Sequence, residues 1–112
     1  ADGFSSYTDE QKSEAIKQNF KFLLLTIPGE YVMLPEFGVG LKKFLFNLEG
    51  TFPIDEVDGR IRNQVGEFLP YIEIKRIEFD LDNVDSNAIG IQLEYSIMGS
   101  VFNEELNLFV TI

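Results

Sequence analysis

With no histidine and no cysteine among its 112 residues, the chain lacks an imidazole base, a thiol nucleophile and the usual ligands for zinc. Catalysis would fall to carboxylates, Lys, Tyr or Ser/Thr. Two carboxylates flanking a sugar, one with a raised pKa, would make a glycosidase. Glu30, Glu36, Asp55 and Glu56 are carboxylates placed near the glycine- and proline-rich middle of the chain. Glu30 directly follows Pro28-Gly29, where it is suited to bonding backbone amides or to pairing with Arg60 or Arg62. A second pattern, Asp80, Asp82, Asn83, Asp85 and Asn87, spaces oxygen-bearing residues as a calcium loop does. It fails at Val84 and at Asp85, where an EF-hand needs a ligand and a glycine, and no helix pair surrounds it. A hairpin turn is expected there, and no metal or cofactor site is assigned.

Recognition chemistry is better represented. The run Glu105, Leu106, Asn107, Leu108, Phe109, Val110, Thr111 and Ile112 alternates with period two. Phe109 falls on the face opposite Leu108 and Val110, and the run has no Lys or Pro to blunt a free edge. Two readings stay open: a strand paired and covered within its own domain, or one completed by another chain through strand addition. Leu69, Pro70 and Tyr71 offer either a helix stop with core flanks or an apolar docking point.

The elements that must position these residues follow from hydrophobic period. Residues 1–8 lack one and predict an arm; residues 9–112 predict one domain. The start at Ala1 without Met suggests an N-terminal piece that is processed, disordered or missing. Thr8 and Gln11 suit a helix start, and Ile16, Phe20, Leu23 and Leu24 form one apolar stripe ending near Thr26. Residues 26–46 read as a packed connector with a type II turn at Pro28-Gly29 and a short helical turn from Gly40. Ile54, Val57, Ile61, Val65 and Phe68 predict a second long helix, stopped by Pro70. Gly66 inside it costs about 1 kcal/mol relative to Ala and predicts a close packing partner. Ile72 and Ile74, then Ile77, Phe79 and Leu81, change parity at Lys75-Arg76, which predicts a β-bulge. With strands ending at Ile97 and Ile112, the fold class is α+β: N-terminal helices packed on a C-terminal three-stranded antiparallel meander.

Composition narrows the partners. A formal charge of −10 disfavours binding to a phosphate backbone, so basic protein surfaces are the expected partners rather than nucleic acid. No run is long and apolar enough to span a membrane, and residues 1–20 do not read as a signal peptide. The lack of Cys fits a reducing compartment, and the eleven Phe without Trp predict a core of Phe, Ile and Leu.

Thr26, Pro28, Gly29, Glu30, Met33, Pro35, Phe37, Gly38, Gly40, Leu41, Leu45 and Phe46 together resemble the signature of the sheath-initiating baseplate wedge family of contractile-tailed phages. That family also occurs in type VI secretion machines and is often labelled lysozyme-like. The resemblance implies a structural, non-enzymatic subunit of the virion, assembled in the bacterial cytoplasm. It also implies that arms of the tail sheath protein join the sheet, with the helical core bundle of other wedge proteins and tube or hub proteins as neighbours. Two positions depart from the pattern. Tyr31 stands where Arg is common, and Leu69-Pro70-Tyr71 replaces a Glu-Pro-Arg that contacts the core bundle, so docking here would be apolar and aromatic. The rival readings are a peptidoglycan-degrading glycosidase and an adaptor using the same strand on another partner.

Overall fold

The chain builds its helices first and its sheet last. The computed structural model describes residues 9–46 and 51–111, the side chain of Asp9 excepted. The arm over 1–8, the Thr8 cap, part of the loop before Pro53, and Ile112 fall outside these residues. Helix α1 spans Asp9–Leu25, α2 Leu41–Phe46 and α3 Ile54–Phe68; strands β1 (Ile72–Asp80), β2 (Ala88–Ile97) and β3 (Asn103–Thr111) follow. The strands pair antiparallel in the order β1-β2-β3, so the architecture is α+β.

Each helix buries most of the stripe its spacing dictates, although Ile54 at the start of α3 is exposed. Ile16, Phe20, Leu23 and Leu24 of α1, and Val57, Ile61 and Val65 of α3, enter one core with Leu41 and Leu45 of α2. The sheet contributes Ile72, Ile89, Ile91, Leu93, Tyr95, Leu106 and Val110 from the parity that faces the helices. Phe20 stands edge-on to Tyr95, ring centroids 5.2 Å apart, joining α1 to the central strand. The expected bulge is present: the β1–β2 register shifts between Ile74 and Arg76, which restores Ile77 and Phe79 to the core side. The run between β1 and β2 closes as a turn. It holds a short 3-10 segment at Val84–Ser86 and left-handed Asn87 (φ 59°), and the Asp80 carboxylate accepts the Asp82 N–H.

One expectation needs correction. Gly66 is exposed and an added Cβ would meet nothing within 4 Å, so no packing partner explains it. The core is mostly Leu, Ile and Phe as expected, with Val beside them; Phe20, Phe37 and Phe52 are buried, whereas Phe22, Phe46, Phe102 and Phe109 are exposed.

Candidate protein-binding edge and the connector behind it

The connector over residues 26–46 is held from below by α3. Glu30 N–H donates to Ile27 O at 2.9 Å across Pro28-Gly29, with Gly29 at φ 92°, which is the type II turn expected there. Gln64, buried on α3, accepts from Gly38 N–H at 2.7 Å and donates to Glu36 O at 3.1 Å. One turn earlier Arg60 donates to the carbonyls of Gly38 (2.8 Å) and Val39 (3.3 Å). A Cβ on Gly38, at φ 122°, would overlap the Thr26 carbonyl, so only glycine fits between α1 and α3. Nothing in the spacing of the chain pointed to Gln64; the contact joins positions 26 residues apart.

The signature residues divide accordingly. Phe37 and Leu41 are buried, with the Phe37 ring against Phe22, Tyr31 and Phe68. Tyr31, in place of the expected Arg, supplies an aromatic wall to that cluster. Phe46 is 74% exposed and belongs to the surface. Of the options for Glu30, the amide bond is realised: its carboxylate accepts Ile27 N–H at 3.3 Å. The arginines go elsewhere, Arg60 to carbonyls and Arg62 to Asp58.

The candidate carboxylates are not gathered into a catalytic pair. Glu30, Glu36, Asp55 and Glu56 are all exposed, two on the connector and two in the first turn of α3. A groove of about 410 Å³ on the sheet is lined by Glu78 and Asp80 together with Gly90 and Phe109. Both carboxylates are exposed; Glu78 lies 3.5 Å from Arg76, and Asp80 accepts its own turn's amide. Neither has the apolar enclosure that keeps a glycosidase acid protonated.

The two outer strands of the sheet differ sharply. β1 is broken by the bulge and displays Glu73, Lys75, Arg76, Glu78 and Asp80 to solvent. Those are the devices by which sheets prevent strangers from pairing. β3 has neither bulge, Lys nor Pro, and its register with β2 runs unbroken from Ser96↔Asn103 to Ala88↔Thr111. Leu106 and Val110 are buried in the chain's own core, so there β3 can offer a partner only backbone. Phe109, 63% exposed, remains on the outer face opposite Gly90. Beside it the Glu105 carboxylate accepts from Gln92 (2.7 Å) and Asn107 (3.1 Å), bonds that hold it below the usual carboxylate range. Among the described residues no strand pairs with the outer side of β3.

At one end of the sheet, Met98 N–H donates to Tyr71 O at 2.8 Å, joining the β2–β3 turn to the segment after α3. Leu69 is buried there, Tyr71 half-buried and Pro70 exposed. Met98, Val101 and Phe102 of the turn are 76%, 90% and 73% exposed. They enlarge the apolar surface read from Pro70-Tyr71; the run of glycine and serine between them marked only a turn. Gly99, at φ 85°, lets that turn close tightly, Ser100 N–H bonding Ile97 O.

Comparison with known proteins agrees with this construction. No curated protein sequence matches the chain. Among solved structures, a candidate tail lysozyme from Geobacter sulfurreducens superposes with a TM-score of 0.75 at 21% identity, covering 90% of this chain and 91% of that one. That likeness is one of fold. The family model for baseplate wedge protein gp25 matches residues 10–100. The chain therefore belongs to the baseplate wedge protein gp25 family, structural components of the phage baseplate.

Proposed function

We propose that this wedge subunit links the baseplate to the tail sheath, and that β3 templates the first sheath ring by accepting a strand from a sheath arm. The observation that carries this is the asymmetry of the two sheet edges: β1 is bulged and charged along its length, whereas β3 has no bulge and carries charge only at Glu104 and Glu105 near its start. A net backbone hydrogen bond contributes only about 0.5–1.5 kcal/mol. A lasting joint therefore needs a long row of them, which an unbroken nine-residue strand supplies. Residues 9–112 act as one domain, with residues 1–8 as an arm. The apolar end formed by Pro70, Tyr71, Met98, Val101 and Phe102 docks on the other wedge proteins in place of the charged contact common in the family. The subunit is not an enzyme, and it is built into the particle in the host cytoplasm.

The test is amide hydrogen exchange on the full chain with and without the sheath subunit of the same particle. Alternate β3 amides should slow on binding while those of β1 stay as they were. Protection of β1, or of neither edge, overturns the reading. Deleting residues 104–112 would not serve, because Leu106 and Val110 would leave the core with them. Peptidoglycan turnover by the pure chain that is lost on Glu78→Gln, Asp80→Asn or an amide change at Glu30, Glu36, Asp55 or Glu56 would instead establish the glycosidase.

A further inference from the structure

Next to the far end of β3 lies a second groove, of about 360 Å³, lined by Ile27, Lys42, Lys43, Phe46 and Thr111. Its walls are the connector, α2 and the last described residue of the edge strand. Its floor is mostly apolar, with Phe46 left largely in water. Both lysines are exposed, and among the described residues neither has an ion-pair partner. Among the described residues Lys75 pairs with Glu73, Arg76 with Glu78 and Arg62 with Asp58, and Arg60 is taken up by carbonyls. The lysines of α1 likewise have no ion pair there, but they do not line this groove. In a chain of net charge −10, two adjacent unspent cations at the mouth of an apolar groove favour an occupant of opposite sign.

We infer that this groove receives the continuation of the polypeptide that adds its strand to β3, and that this continuation carries a large apolar side chain flanked by carboxylates. The inference rests on the reading of β3 as the joint and supplies its specificity. Backbone bonds along β3 accept any extended sequence, whereas an apolar socket on Ile27 and Phe46 under Lys42 and Lys43 selects one. Paired across the groove mouth, the charges act mainly on register and on encounter rate, and weaken with salt.

The experiment measures binding of the sheath subunit of the same particle to the full chain, to K42E/K43E and to K42Q/K43Q, over a salt series, with β3 hydrogen exchange recorded in parallel. The expected result is at least tenfold weaker binding for the charge reversal, a smaller loss for the neutral variant, and a flatter salt dependence for both. The thermal stability of the free chain should not change. Binding equal to wild type, with β3 still protected, overturns this inference and leaves the strand-addition reading standing. A fall in stability of the free reversed chain without loss of binding overturns it too, because the groove would then be covered by a segment of this chain. Binding that leaves β3 unprotected removes both.

Discussion

Residues 36–41 of the connector and the strand β3 both bring backbone and large apolar side chains to the same core, and they treat them in opposite ways; elsewhere in the connector Val32, Met33 and Phe46 stay exposed. In the connector the polar groups are consumed locally: Gln64 and Arg60 take up the peptide groups of residues 36–39, and Phe37 is closed in by three rings. In β3 one side is paired to β2 and one face is buried, while the outer side meets no other strand among the described residues. The difference separates residues that make the fold from residues that are free to serve a partner. Substitutions at residues 36–41 of the connector should cost stability, and substitutions on the outside of β3 or at the groove of Lys42 and Lys43 should cost assembly.

The largest expected effect is Gly38→Ala. Beyond the strain of a side chain at φ 122°, the new Cβ would lie 2.8 Å from the Thr26 carbonyl carbon. A loss of about 3 kcal/mol or more, or failure to fold, is expected in chemical denaturation. Next comes Gln64→Ala, which leaves the buried Gly38 N–H unpaired; about 1–3 kcal/mol is expected, with wild-type sheath binding once the chain is folded. A variant equally stable but unable to bind would break the separation between the two regions.

Tyr95 tests the core between them. Its ring is buried, its hydroxyl has no hydrogen-bond partner among the described residues, and burial, then the charges of Glu104 and Glu14, push its pKa up to about 12. The unfolded chain releases this proton near the ordinary value of 10.0. The contribution is therefore complete below that pH and is lost as pH rises through about 12. Tyr95→Phe should flatten the alkaline decline of Tm in that window and leave stability at neutral pH unchanged or higher, since no hydrogen bond is removed. Smaller again is Gly66→Ala. With open space around the position, helix propensity alone should raise stability by about 0.5–1 kcal/mol. A loss would mean that a neighbour sits there after all.

How much of this could be read from the chain follows from the range over which each signal acts. The period-two parity of β1, its slip at Lys75-Arg76 and the stripe of α1 are local patterns, and the structure reproduces them. The type II turn is local chemistry too. Gln64 is a polar residue amid an apolar helix pattern, and its role depends on where the chain returns 26 residues away; no spacing rule reaches that far. At Gly66 the sequence misleads, because an exposed glycine and a closely packed one look alike in it. For the candidate site, Leu106 to Val110 could be recognised as a strand, but the core's claim on Leu106 and Val110 needed the third dimension. So did the placing of Met98 beside Tyr71. In sequence Lys42 and Lys43 are no more than two adjacent basic residues, because the groove beside them is built from three separate segments.

The finest test of the contrast is Phe109→Lys. The side chain is on the outer sheet face and 63% exposed, so the folded chain should stay within about 0.5 kcal/mol of wild type. A lysine is what β1 carries at Lys75 and what β3 lacks, and charge on an edge strand is a common barrier to strand addition. The substitution thus gives β3 one feature of the blunted edge without touching its core face. Baseplates carrying it should form with this subunit in place and fail to start a sheath. If sheath grows normally on them, the outer face of β3 takes no part in the joint. The partner would then be held through backbone and the groove at Lys42 and Lys43 alone.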